Sequence, residues 1–246
     1  MNSAEKITII IPCFNEGKML DVAQYQSFVE QNNTINFCFV NDGSSDNTLE
    51  KIQDIKSKQC FVLSLDKNQG KAEAVRQGVQ YVLKNIPSNY IGYFDADLST
   101  PLNEIFLLRE ELNTNPNLEY VFGSRILKVG SKIDRKFSRF IIGRIIATFI
   151  SKVLKIKVYD TQCGAKLFRR NLAENIFQEP FISKWLFDVE LLFRILNLYG
   201  RLEGVKKLKE VPLNIWVEKG NSKIKWTYGL KVWVDLLKIK QTYKNV

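Results

Sequence analysis

The sequence predicts an α/β domain on a mostly parallel, Rossmann-like sheet flanked by helices, with amphipathic helices toward the C-terminus. Short β-branched apolar runs alternate with helix-length stretches through the first half. The first of these runs is apolar almost without interruption, as strands buried on both faces are. A chain of 246 residues, 45% hydrophobic and 25% charged, suits one such domain with an appendage and excludes a disordered chain.

Residues 7–11 read as the first strand and 16–31 as the helix after it. A strand at 35–40 leads to a helix at 46–58, with Ser45 or Asp46 as its N-cap. The pattern continues with a strand at 61–65, a helix at 69–84, a strand at 90–94, a helix at 102–112 and a strand at 120–122. The second half breaks the alternation. It reads as a basic helix over 135–155, a helix over 184–199, a strand over 211–217 and a helix after Trp226. Residues 1–225 are expected to form the main domain and 226–246 a basic amphipathic helix.

Composition excludes several chemistries. The chain has no His, which removes imidazole catalysis and His-based zinc sites. Its four Cys are scattered without a C-x-x-C pair, as reduced core thiols in a cytoplasmic setting would be. The N-terminal residues meet Glu5 and Lys6 at once, so no signal peptide is expected. The longest uncharged stretch, 31–41, is far short of the roughly 20 residues that a membrane span needs.

The net charge of +10 is unevenly spread. Residues 1–122 hold 10 basic and 16 acidic side chains, 123–170 hold 13 and 2, and 201–246 hold 11 and 4. An acidic body thus carries two basic blocks, which attract phosphates or an anionic leaflet. No nucleic-acid-binding pattern accompanies them, so no nucleic-acid partner is expected.

In open α/β sheets, ligands bind beyond the carboxyl ends of the strands. Five segments stand there: 12–16, 41–46, 66–71, 95–97 and 123–125. Four of them contain a carboxylate. Asp95 and Asp97 flank Ala96 at the end of a strand, where two carboxylates can approach one hard cation, Mg²⁺ or Mn²⁺, beside a diphosphate. Plain helix capping explains such pairs equally well. Glu16 and Asp42 are able to read a ribose or base, or merely cap helices. Gly70-Lys71 opens a helix, a place suited to phosphate. No G-x-G-x-x-G follows the first strand and no P-loop occurs, which argues against dinucleotide folds, NTPases and nucleotidyltransferases.

Seven motifs come in one order. They are Ile-Pro-Cys-Phe-Asn-Glu (11–16), Asn-Asp-Gly-Ser-Ser-Asp (41–46), Asn-Gln-Gly-Lys (68–71), Asp-Ala-Asp (95–97), Gly-Ser-Arg (123–125), Asp-Thr-Gln-Cys-Gly-Ala-Lys-Leu-Phe (160–168) and Trp-Leu-Phe-Asp-Val-Glu-Leu-Leu (185–192). Together they resemble the family 2 glycosyltransferases of GT-A fold, in the branch that acts on polyprenyl phosphates such as dolichyl phosphate. Asn41 departs from the family pattern, which often has Asp there, and the N-terminal membrane anchor of the eukaryotic glucosyl enzymes is not seen.

The resemblance implies an inverting transfer of a hexose, glucose from UDP-glucose by preference, onto a polyprenyl phosphate at the cytoplasmic face of a membrane. GDP-mannose as donor, or a hydroxyl acceptor in surface-glycan synthesis, is the alternative. Pro12, Phe14, Glu16, Asp42, Lys71, Asp95, Ala96, Asp97 and Lys223 would meet the nucleotide sugar. Asp95 and Asp97 would hold Mg²⁺ or Mn²⁺. Arg125 and Arg139 would meet the acceptor phosphate, with Asp160, Gln162 and Trp185 around it.

A phosphate acceptor is already an anion, so the transfer needs little general base. The barrier lies in departure of the nucleoside diphosphate. A hydroxyl acceptor would need a base, for which Asp188 is the candidate, unless it is a buried cap in the first turn of its helix or the partner of an Arg. The stretch 137–150 and the C-terminal helix mix Ile, Phe and Trp with Arg and Lys, as helices lying in a bilayer interface do. Packing on the core with Lys outward is the competing reading.

Overall fold

The computed structural model describes residues 5–135, 137–219 and 228–244. Its first half follows the predicted alternation. β1 (Ile7–Cys13) pairs in parallel with β2 (Ile35–Asp42) and β4 (Tyr90–Phe94), and β2 pairs in parallel with β3 (Cys60–Leu65). α1 (Val22–Gln31), α2 (Thr48–Gln53), α3 (Lys71–Asn85) and α4 (Glu104–Thr114) connect or flank these strands. β5 (Tyr120–Ser124) completes the first half.

The second half adds β6 (Lys132–Asp134), α5 (Phe137–Leu154), β7 (Ala165–Arg169) and α6 (Arg170–Ile176). α7 (Phe187–Tyr199), α8 (Arg201–Lys206), β8 (Leu208–Pro212), β9 (Ile215–Val217) and α9 (Tyr228–Thr242) follow. The seven-stranded sheet runs β3-β2-β1-β4-β7-β5-β8, and β6 pairs with β9 in a separate ribbon. β7 was not anticipated. It inserts antiparallel between β4 and β5, so the sheet is mixed at this point.

Several boundaries differ from the expectation for local reasons. α1 starts at Val22 rather than near residue 16, because the Asp21 carboxylate accepts the Gln24 amide at 3.0 Å and caps the helix there. α2 follows Asn47, which makes no side-chain capping bond. Asp46 supplies that bond from one residue further back, accepting from the Thr48 amide at 3.1 Å. α7 starts at Phe187, since the Ser183 hydroxyl holds residues 183–186 in a turn by accepting the Trp185 and Leu186 amides. The strand expected over 211–217 is two strands separated at residues 213–214.

Hydrophobic cores lie on both faces of the sheet. One gathers Val75 and Val79 of α3, Leu192 and Ile195 of α7, and Val232, Leu236 and Ile239 of α9. The other gathers Tyr25 and Val29 of α1, Leu108 of α4 and Trp216 of β9. α9 thus docks by a stripe at i, i+4 and i+7. It is further tied where the Ser183 hydroxyl donates to Asp235 at 2.7 Å.

α5 and α9 each bury one stripe and leave another apolar stripe outside. Phe137 is 77% exposed, with Ile142, Ile145 and Phe149 also exposed on α5 and Trp233, Val234 and Leu237 on α9. Phe149 meets Trp233 edge-on with ring centroids 4.7 Å apart, which joins the two exposed stripes. Among the described residues, no helix is long and apolar enough to cross a membrane.

Candidate active site

The loops after β1 and β2 are fastened to each other. Asn15 takes a positive φ of 52°, its amide donates to the Ser44 hydroxyl at 3.0 Å, and its side-chain oxygen accepts the Ser45 amide at 2.9 Å. The Glu16 amide donates to Thr48 Oγ1 at 2.8 Å and the Gly17 amide to Asp46 at 3.1 Å. Phe14 projects beside them, exposed, with Pro12 and Glu16 half-buried. These residues form a rim at the sheet's carboxyl edge.

Asp42 is buried at the end of β2. Its carboxylate accepts the Gln69 amide at 2.7 Å and the Gly70 amide at 2.9 Å, and so anchors the turn that opens α3. Burial pushes its pKa up, and those two amides oppose the shift. Gly43 permits the arrangement. Its φ is +63°, and a Cβ there would come within 2.5 Å of the Lys67 backbone.

Asp95, Ala96 and Asp97 follow β4 directly. Asp95 donates its amide to the Gly164 carbonyl at 3.1 Å, and its carboxylate pairs with Lys71 Nζ at 2.5 Å. Asp97 accepts the Ser99 amide at 2.9 Å. Burial, reinforced by the neighbouring Asp95, raises the Asp97 pKa. Burial alone would lower the Lys71 pKa, but Asp95 and Asp188 outweigh it and the net direction is up. Leu98, buried, holds a φ of 54°, a strained backbone next to the acidic pair. The Ser99 carbonyl accepts the Val217 amide at 2.9 Å, which ties this turn to β9. Lys223, beyond β9, lies outside the described residues.

Arg125, just past β5, forms a bidentate pair with Asp160, its Nε and Nη2 donating at 2.6 and 2.8 Å. Its guanidinium lies 5.3 Å from the Trp216 ring centroid. Burial would raise the Asp160 pKa, but Arg125 overrides it and holds the carboxyl down at about 2. Glu210 of β8 fixes this turn from behind, accepting the Tyr159 amide at 2.7 Å and the Asp160 amide at 2.6 Å. The Gln162 side-chain nitrogen is buried with no hydrogen-bond partner among the described residues. Arg139 belongs to α5, but its side chain is outside the described residues. Trp185 packs against the core on the α7 side.

The structure therefore brings Lys71, Asp95 and Asp97 together, and separately clamps Arg125 to Asp160. Asp188 is enclosed, its carboxylate 3.0 Å from Lys166 Nζ and accepting the Tyr93 hydroxyl. Its partner is a Lys rather than the expected Arg. Lys166 lay within the 160–168 motif without a role of its own, and Tyr93 lay within a strand without one. Glu210 and Arg135 were also missed. Arg135 sits near enough to Arg125 and Asp160 to feel both charges, and burial followed by Arg125 lowers its pKa. A Lys inside an otherwise apolar strand was the available signal for Lys166; Arg135 was hidden among many basic residues.

The acidic pair fits a divalent cation. The oxygens are hard, burial and then the neighbouring Asp95 charge raise Asp97, and a cation between the two carboxylates would offset both. No cluster of three or more Asp, Glu, Cys or His suited to a metal occurs among the described residues, so the pair by itself would leave coordination positions open.

Residues 8–177 match the glycosyl transferase family 2 domain. A dolichyl-phosphate beta-glucosyltransferase of Trichomonas vaginalis is 33% identical over 94% of this chain and 70% of its own length. The human dolichyl-phosphate beta-glucosyltransferase is 30% identical over 97% and 76%. Among solved structures, glucosyl-3-phosphoglycerate synthase of Mycobacterium tuberculosis with phosphoglyceric acid superimposes with a TM-score of 0.73 at 16% identity, covering 96% of this chain and 80% of that one. The same enzyme with Mn²⁺, UDP-glucose and phosphoglyceric acid gives 0.72, also at 16% identity, with the same 96% and 80% coverage. The fold they share is the GT-A fold.

Proposed function

Because the chain belongs to glycosyl transferase family 2, we propose that it moves glucose from UDP-glucose onto dolichyl phosphate or a related polyprenyl phosphate at a membrane surface, with inversion at the sugar. That it is a glycosyltransferase follows from the family itself. The donor and acceptor are supported by relatives at about 30% identity along nearly the whole chain. The observation that carries the reading is the meeting of Lys71, Asp95 and Asp97 at the start of α3 and the end of β4.

The residues divide the work. Pro12, Phe14 and Glu16 offer a rim for the nucleoside, and Asp42 holds the turn that presents the α3 N-terminus to a diphosphate. Lys71 is able to exchange Asp95 for a diphosphate oxygen. Asp95 and Asp97 would hold Mg²⁺ or Mn²⁺, which when bound supplies Lewis-acid neutralisation of the leaving group. An acceptor phosphate oxygen forms the bond to the anomeric carbon as the bond to the UDP β-phosphate oxygen breaks, and UDP departs with that electron pair. No proton has to be removed. The enclosure of Asp188 by Lys166 and Tyr93 leaves it poorly placed to deprotonate a sugar hydroxyl, which favours the phosphate acceptor. Arg125, fixed in direction by Asp160, is the cation suited to orient that phosphate. The joined apolar stripes of α5 and α9, flanked by Lys and Arg, suit the lipid surface in which the acceptor resides.

The test is transfer by the purified chain in detergent micelles containing dolichyl phosphate, with Mn²⁺ or Mg²⁺ and radiolabelled UDP-glucose or GDP-mannose. A mild-acid-labile glycolipid from UDP-glucose alone is expected. Labelling from GDP-mannose instead would overturn the sugar assignment. Transfer only to a lipid hydroxyl would overturn the acceptor.

A further inference from the structure

Beneath the acidic pair lies a buried group of charges that the proposed reaction does not use. Lys166 of β7 has no exposed surface. Its ammonium stands 3.0 Å from the Asp188 carboxylate, donates to the Cys163 carbonyl and lies 5.4 Å from the centroid of the Tyr93 ring. Asp188, in the first turn of α7, also accepts the Tyr93 hydroxyl. The same ring has the Lys71 ammonium 6.0 Å from its centroid, and Lys71 is paired with Asp95. Two ammonium groups and two carboxylates are thus arranged around one tyrosine.

The backbone repeats the connection. Tyr93 faces Lys166 across the β4–β7 ladder, and the next residues toward the site are Phe94 and Ala165. Beyond them the Asp95 amide donates to the Gly164 carbonyl. Gly164 is so close that a Cβ there would lie 1.9 Å from an Asp95 carboxylate oxygen. Lys166 grips the carbonyl of Cys163, the residue before Gly164. The buried pair therefore braces the floor on which the Asp95 carboxylate rests.

Stability alone is a weak account of such a pair. Desolvating both charges consumes most of their attraction, and apolar residues of similar size often serve a core as well. We propose that Lys166, Asp188 and Tyr93 form a positioning unit that fixes the Asp95 carboxylate and the Lys71 ammonium for the metal and diphosphate, and that Asp188 takes no proton in the reaction. This rests on reading Asp95 and Lys71 as diphosphate-site residues.

Mn²⁺ binding in the presence of UDP, followed by loss of the free Mn²⁺ signal in electron paramagnetic resonance, reads the unit without turnover. The full chain is compared with Asp188→Asn, which keeps shape and loses charge, and with Lys166→Met/Asp188→Leu, which replaces the pair by apolar groups. Both variants are expected to unfold cooperatively, to bind Mn²⁺ with UDP about tenfold or more weakly, and to show a raised KM for UDP-glucose with a lowered kcat. A folded Asp188→Asn with wild-type Mn²⁺ affinity but no kcat would make Asp188 the base and overturn the inference. Wild-type affinity and kcat in either folded variant would overturn it too. Failure of both variants to fold would assign the pair to fold stability instead. Absence of Mn²⁺ binding by the unmodified chain would sink the donor-site reading itself, and the positioning unit with it.

Discussion

At Asp97, burial and the adjacent Asp95 push the carboxyl pKa up, whereas Arg125 drives the Asp160 carboxyl down to about 2. The two carboxylates therefore bear on folding with opposite signs. A folded-state pKa above the unfolded value means that the group's contribution to stability is lost as pH rises through it, so ionised Asp97 is a burden on the folded chain near neutral pH. Asp97→Asn is expected to unfold no earlier than the parent at pH 7 while losing transfer by roughly 10²–10³-fold. Thermal unfolding and initial rates check both halves, and an active variant would remove Asp97 from the donor site. For Asp160 the folded pKa lies below its ordinary value of 3.8, so its contribution is present above that value and is lost as pH falls toward about 2. It amounts to about 2 kcal/mol at pH 7. Asp160→Asn should melt well below the parent at pH 7, and the gap should narrow between roughly pH 4 and pH 2. A gap unchanged at pH 2.5 would show that the Arg125 pair is not its source.

The strand ends that carry the proposed donor site were legible in the sequence, because β1, β2 and β4 are largely apolar runs, broken only by residues such as Thr8 and Asn36, that finish on polar turns. β7 was not, although residues 160–168 stood out as a motif. Lys166 interrupts its apolar run, and antiparallel insertion between β4 and β5 is decided by long-range pairing that no local pattern records. Helix starts were placed too early where polar residues serve loops, as at Asn15, whose side chain is spent on Ser45. The start of β7 makes its own prediction. Gly164 does not need a left-handed φ, so Gly164→Ala tests space alone. Its Cβ would displace the Asp95 carboxylate, and a loss of Mn²⁺ affinity with UDP of about tenfold or more, in a chain that still folds, is expected. Wild-type affinity would mean that Asp95 has another rotamer compatible with binding.

Over the whole molecule, charge and apolar exposure converge on the same elements. The first 122 residues are acidic and hold the carboxylates of the proposed donor site, while residues 123–170 and 201–246 carry the basic excess. α5 and α9 lie within those basic blocks, and both expose apolar stripes although each buries another in the core. Core packing and surface presentation, set against each other as alternatives by the sequence, are thus met by different faces of one helix. Such a surface should bind anionic bilayers peripherally. Each Lys or Arg near an anionic leaflet contributes about 1 kcal/mol, screened within about 8 Å at physiological salt, whereas burial of Phe137, Ile145 or Leu237 is far less salt-sensitive. Co-sedimentation with phosphatidylserine vesicles is therefore expected to fall with added salt without vanishing, and neutral vesicles should capture less protein. Ile145→Ser/Leu237→Ser changes only exposed side chains. It should remove the salt-resistant fraction while leaving the unfolding midpoint and Mn²⁺ affinity with UDP in place. Equal capture by neutral and anionic vesicles would defeat the electrostatic part, and an unchanged salt-resistant fraction in the double variant would defeat the assignment of this surface to the lipid.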